Sequence, residues 1–164
     1  PQEPQAGGAG ARILSACPLR GSGGIEGGCL NSYHPVTQSE TMKRVFKTRH
    51  FQRWMRKTEL TDARLCQAVE EMAAGWIDAD FGAGVVKKRI GLAGRGKPGG
   101  VRTLLATNRG RRWFFVFGFE KNDRANISDE ELAALQALAA DLLARTAQQL
   151  DQAVADGALQ EICL

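Results

Sequence analysis

The sequence predicts an α+β domain: a small antiparallel sheet packed with two N-terminal helices and a long C-terminal helix. Apolar residues recur at helical spacing over residues 51–72 and again over 132–154. Between them, residues 85–119 hold three stretches of strand character separated by a glycine-rich segment and an Asn-Arg-Gly turn. Charge is also segregated. Residues 42–124 carry 19 Lys and Arg against 8 Asp and Glu, whereas residues 125–164 carry 1 against 7.

Residues 1–41 are rich in Gly, Pro, Gln and Ser and show no sustained period. They read as a disordered or mis-annotated N-terminal extension, with the domain spanning 42–164, because Met42 stands directly before the first patterned stretch. Tyr33 and His34 fall in the extension and receive no role. Residues 45–48 read as a short strand, and Phe51, Trp54 and Met55 as a short helix. Thr61 is a plausible N-cap for a second helix, with Leu60 placed to staple against Leu65 and an apolar face of Leu65, Val69 and Met72. Gly75 is the natural stop. A loop with Asp78 and Asp80 leads to a strand at 85–90, a glycine-rich turn at 94–100, and strands at 101–107 and 113–119 joined by Asn108-Arg109-Gly110. Ser128-Asp129-Glu130-Glu131 is a capping box, with Ile127 stapling on Leu132. The stripe of Leu135, Leu138, Leu142, Leu150 and Val154 predicts one long helix ending at Gly157.

No window approaches the roughly 18 to 20 apolar residues of a membrane span, and the start lacks the basic-then-apolar layout of a signal peptide. The expectation is a cytoplasmic protein with no membrane association. Cys17, Cys29, Cys66 and Cys163 have neither paired C-x-x-C spacing nor a histidine cluster, so free thiols are expected and no zinc site. The cationic stretch attracts polyphosphate through counterion release, making nucleic acid the leading partner class.

Gly91 to Lys97 matches most of a phosphate loop, but Pro98 stands where that motif needs a hydroxyl, and a strand follows instead of a helix. It reads better as a basic hairpin loop. His50 is a candidate proton shuttle, since imidazoles ordinarily titrate near neutrality, against the plainer reading of a boundary histidine. Asp78 and Asp80 lack a third nearby ligand, so neither a metal nor another cofactor is expected. Strand alternation places Lys87 and Arg89 on one face and Val86, Lys88 and Ile90 on the other. Together with Arg102, Lys121 and Arg124, the first two can converge on one groove. Such a groove would bind RNA phosphates and stabilise the charge that develops when a 2′-hydroxyl attacks phosphorus. The competing explanation is cations that protect a sheet edge from aggregation. Most of the run Trp113, Phe114, Phe115, Phe117 and Phe119 reads as core, with Phe119 a candidate for base stacking.

The element order resembles the RelE/ParE toxin superfamily, most closely its HigB-type branch. The match is carried by Phe46-Lys47-Thr48, Val86-Lys87-Lys88-Arg89, residues 96–103 with their Gly-Gly-x-Arg, and residues 119–127 with their Lys-Asn-x-x-x-Asn-Ile. The resemblance implies a toxin that cleaves messenger RNA, commonly on the ribosome, and is silenced by a helix-turn-helix antitoxin. It implies Lys87 and Arg89 as a basic pair, Arg102 on the scissile phosphate, and Lys121 and Arg124 as a basic cluster, all catalytic. Lys88, Arg95 and Lys97 would bind RNA. Tyrosine, frequent near the active site of such toxins, does not occur after Tyr33, so no general acid or base is assigned. A ParE-like gyrase inhibitor and a non-catalytic nucleic-acid-binding regulator are the alternatives.

Overall fold

The computed structural model describes residues 42–164, apart from the side chains of Lys97 and Pro98. The expectations for residues 1–41, including Cys17, Cys29, Tyr33 and His34, lie outside the described residues. The elements are β1 (Arg44–Thr48), α1 (Arg49–Met55), α2 (Asp62–Ala73), β2 (Ala79–Gly82), β3 (Val85–Leu92), β4 (Gly96–Thr107), β5 (Arg112–Glu120), α3 (Asp129–Ala144), α4 (Ala147–Ala155) and β6 (Leu159–Ile162).

The domain is α+β, but the sheet is neither small nor purely antiparallel. Six strands run in the order β2-β3-β4-β5-β1-β6, and β1 lies parallel to β5 and antiparallel to β6. The N-terminal strand is thus inserted between two C-terminal ones. Local pattern cannot reveal such a pairing, because it records which face a residue takes and not which strand lies alongside.

Four features differ from the sequence-based expectation. β2 occupies part of the expected Asp78–Asp80 loop, pairing with β3 through Ala79↔Lys87 and Asp80↔Val86. The glycine-rich segment is mostly strand, since β4 begins at Gly96. At Gly100 an added Cβ would fall 2.2 Å from the Ile90 carbonyl oxygen, so this glycine serves close strand approach and not a turn. The long C-terminal helix is two helices. Arg145 adopts extended backbone (φ −64°, ψ 141°), and a second capping box formed by Thr146 and Gln149 restarts the chain as α4. The apolar stripe continues across this break and hid it. The four-residue strand β6, which begins two residues after Gly157, adds a further strand that the helical pattern does not predict.

Helices cover both sheet faces. α1 and α2 pack on one face through Phe51, Leu65, Val69 and Met72, against Val45, Val86, Ile90, Leu105, Trp113 and Phe115. α3 and α4 pack on the other through Ala139, Leu142 and Leu150, against Phe46, Val85, Leu104, Phe114 and Val116. A β-bulge sits in β5. Leu105 opposes Phe115 while Leu104 opposes Phe117, so Val116 is the additional residue. The bulge reverses the alternation. Trp113 and Phe115 therefore face α1 and α2, whereas Phe117 and Phe119 turn to the α3 side.

Two basic side chains of β1 tie it to its neighbours. Buried Lys47 donates to Asp62 in the first turn of α2 at 2.6 Å. Arg44 reaches Glu161 on β6 and Asp151 on α4, at 2.7 Å each, and these carboxylates raise its already high pKa further. Among the described residues no helix is long and apolar enough to cross a membrane.

Cys66 and Cys163 are not free thiols. They form a disulfide, with Cα atoms 5.7 Å apart, that fastens the residue after β6 to α2. The bond closes a loop with a sequence separation of 97 residues, a constraint that acts mainly on the unfolded chain. Cys66→Ser is expected to lower the stability of the oxidised protein by about 2–4 kcal/mol in denaturant titrations, and to change little when both proteins are reduced. Equal stabilities under oxidising conditions would contradict the linkage.

Candidate nucleic-acid interface

Antiparallel register builds the site. Arg89 on β3 opposes Arg102 on β4, and Arg102 in turn opposes Phe119 on β5. Two residues along, Lys87 opposes Leu104, and Leu104 opposes Phe117. Lys87, Arg89, Arg102, Phe117 and Phe119 thus share the α3 side of the sheet. Directly opposed like charges on adjacent strands are destabilising, so the fold bears a cost to hold Arg89 beside Arg102.

Each cation has a distinct setting. The Arg102 guanidinium donates to the Ala125 carbonyl at 3.0 Å and lies 5.9 Å from the Phe119 ring centroid. Arg89 is exposed, and its backbone N–H donates to Asp78 at 2.7 Å. Lys87 is half-buried, with its ammonium 5.4 Å from the Phe81 ring. The two loop carboxylates are engaged locally: Asp78 with that N–H, and Asp80 with the Gly82 N–H and the Arg109 guanidinium.

The expected groove of five cations is only partly assembled. Arg124 lies over Phe117 at 5.6 Å, but it donates to both oxygens of Glu131, at 2.6 and 2.7 Å. Glu131 is also the acidic member of the capping box with Ser128. The Arg124 guanidinium and then the Ser128 backbone N–H hold the Glu131 carboxyl below its usual range, and Glu131 in return raises the pKa of Arg124. Arg124 is therefore a paired cation that anchors the start of α3. Lys121 is exposed and lines a cleft of about 170 Å³ with Arg95, Gly99, Gly100, Glu120 and Asn122. Arg95 itself is only loosely paired, 3.9 Å from Glu59. The side chain of Lys97 lies outside the described residues.

Lys88 is placed differently from the RNA-binding role expected of it. It is buried on the α2 side, donating to the Trp76 carbonyl at 2.8 Å and to Glu71 at 2.7 Å. Only a buried lysine with both partners satisfied is tolerated at such a position, so it serves packing.

The sequence places Phe117 in the core and leaves His50 between a proton shuttle and a boundary histidine. β1 pairs with β5 only as far as Lys47↔Phe115, and the chain then turns directly into α1, whose N-cap is Thr48. α1 packs along the stretch of β5 left unpaired. The Trp54 ring lies on Gly118, where an added Cβ would come within 2.2 Å of it. His50 stacks on Phe117, with centroids 5.7 Å apart and planes within 8°. Between α1 and the end of β5 lies a cleft of about 470 Å³ that includes His50, Phe117, Phe119, Asp123 and Arg124.

Together the fold and this face define a basic α+β domain with an aromatic-floored cationic surface at one end of its sheet. The family model for the RelE toxin of the RelE/RelB toxin-antitoxin system matches residues 43–162, and the chain belongs to that family. Membership gives the protein a toxin role and implies a cognate antitoxin as partner. Among curated proteins none matches the chain.

Two outcomes follow from this geometry. Gly118→Ala is expected to cost about 1–3 kcal/mol in thermal or denaturant melts, because the new methyl meets the Trp54 ring; a loss under about 0.5 kcal/mol would contradict that packing. Glu131→Gln is expected to destabilise the protein at neutral pH. Because the folded carboxyl has a depressed pKa, its contribution is complete above the ordinary value of 4.5 and is lost as pH falls through the lowered one. The gap between parent and variant melting temperatures should therefore close in acid, and a gap unchanged at about pH 3 would refute the pairing.

Proposed function

We propose that the chain is a metal-independent endoribonuclease toxin of the HigB type that cleaves messenger RNA, on the ribosome, and so inhibits translation. The observation that carries this reading is the opposition of Arg89 and Arg102 on the sheet face beside Phe119. A bound phosphate lying between two guanidiniums turns their mutual repulsion into attraction, and planar guanidiniums match phosphate oxygens well. The Gly-Gly-x-Arg and Lys-Asn-x-x-x-Asn-Ile pieces support the HigB-type assignment within the family.

In this mechanism Arg102, oriented by the Ala125 carbonyl, and Arg89 bind the non-bridging oxygens of the scissile phosphate. Lys87 adds a third positive charge on the same face. The 2′-oxygen attacks phosphorus and loses its proton, the bond from phosphorus to the 5′-oxygen breaks, and that oxygen is protonated. The products are a 2′,3′-cyclic phosphate and a 5′-hydroxyl end. The cations act chiefly by stabilising the doubly charged phosphorane, where preorganised donors are worth most. Lys121 and Arg95, together with Lys97, would hold the neighbouring backbone, while Arg124 positions Phe117 and α3. The reading places the protein in the cytoplasm, where translated messages are, with a helix-turn-helix antitoxin as its silencing partner.

Arg102→Ala is the direct test. The folded variant is expected to cleave RNA about 10²-fold or more slowly and to lose growth arrest on induction. A folded Arg102→Ala protein that cuts RNA and arrests growth like the parent would refute the proposal.

A further inference from the structure

Arg44, Lys47, Lys88, Arg109 and Arg124 each form an ion pair with a carboxylate, whereas Lys87, Arg89 and Arg102 of the proposed phosphate site have no ion-pair partner among the described residues. α1 and the residues just after it add four more unmatched cations. Arg49, Arg53, Arg56 and Lys57 are all exposed, and among the described residues none of their side chains has an ion-pair or hydrogen-bond partner. Four unmatched cations within nine residues repel one another, a cost that a polyanion would relieve.

Two of these cations stand at a built concavity. Arg53 and Lys57 line the cleft of about 470 Å³ between α1 and the end of β5, facing Phe117, Phe119 and Asp123. The cleft has an aromatic wall, because the exposed His50 ring lies parallel to Phe117. It is also continuous with the proposed scissile-phosphate site. The Phe117 and Phe119 centroids are 6.1 Å apart, and the Arg102 guanidinium lies 5.9 Å from Phe119.

We propose that this cleft is a subsite for one unpaired nucleotide of RNA next to the scissile phosphate, and that the α1 cations carry the strand onward. The inference rests on the ribonuclease reading and adds to it a direction for the strand. The base enters against His50 and Phe117, where any base can stack. Asp123 repels phosphate and can accept a hydrogen bond from a base amino or imino group, which orients the nucleotide base-inward. The phosphate then stays at the rim, with Arg53 and Lys57. The basic turn at Arg109 to Arg112 cannot serve the same strand segment, since it lies at the far end of β4 and β5 from Arg102 and Phe119.

The test uses the full chain and a fluorescein-labelled RNA hexamer with 2′-O-methyl riboses, which cannot be cleaved by 2′-oxygen attack. Binding is read by fluorescence anisotropy over a range of salt concentrations. The double variant R53E/K57E is expected to bind about tenfold or more weakly and to lower the slope of log affinity against log salt by about 1.4, as for two lost single-strand phosphate contacts. His50→Ala is expected to weaken binding about tenfold with no change in that slope. Arg111→Glu, an exposed cation at the other end of the sheet, should stay within about threefold of the parent. If charge reversal impairs folding, R53Q/K57Q takes its place with the same expected slope. The subsite is overturned alone if R53E/K57E binds like the parent, or if Arg111→Glu loses as much, while cleavage still depends on Arg102. A parent protein that binds no RNA overturns the subsite and the ribonuclease reading together.

Discussion

The additional residue in β5, Val116, is the constraint on which the candidate site depends. Without it Trp113, Phe115, Phe117 and Phe119 would all lie on the α2 side of the sheet, and the α3 side opposite Arg102 would hold different residues. The bulge lets one strand serve two purposes. Its first half supplies buried Trp113 and Phe115 to the core beneath α1 and α2, and its second half places Phe117 and Phe119 among the cations. β-bulges commonly re-aim side chains next to functional surfaces. Here the re-aimed residues lie beneath Arg102, which the Ala125 carbonyl holds, and Arg124, which Glu131 holds.

A second constraint is where β1 ends. Its pairing with β5 stops at Lys47↔Phe115, and the turn into α1 at Thr48 leaves the end of β5 without a strand neighbour on that side. α1 takes that place, fixed by fully buried Phe51 and by Trp54 on Gly118. The same geometry that completes the core thus brings His50 to Phe117 and exposes a row of cations. Stability and surface chemistry share residues here, so variants such as Gly118→Ala act on both.

Much of the fold was legible in the sequence because its signals are local. Thr61 and Ser128 cap helices as their side-chain chemistry predicts, Gly75 ends α2 with positive φ, and Asn108-Arg109-Gly110 makes the hairpin turn. The parallel β1 and the edge strand β6 were not legible, since they depend on partners more than 60 residues away in sequence. Gly100 misled for a physical reason: glycine marks a close strand approach as readily as a turn. In the site, period-two alternation placed Lys87 and Arg89 correctly on one face and Lys88 on the other. It could not show that Glu131 claims Arg124, that α2 claims Lys88, or that a bulge turns Phe117 outward. The disulfide was hidden in the same way, because Cys66 and Cys163 meet only when β6 docks.

The proposed cleavage proceeds by attack of the 2′-oxygen, which marks both ends of the cut. The most direct measurement is the chemistry of new RNA ends within minutes of inducing the protein in a bacterial host. The expected result is 5′-hydroxyl ends inside translated regions, matched by 2′,3′-cyclic phosphates on the upstream fragments. Growth arrest with intact messages and accumulated gyrase–DNA cleavage complexes would contradict it.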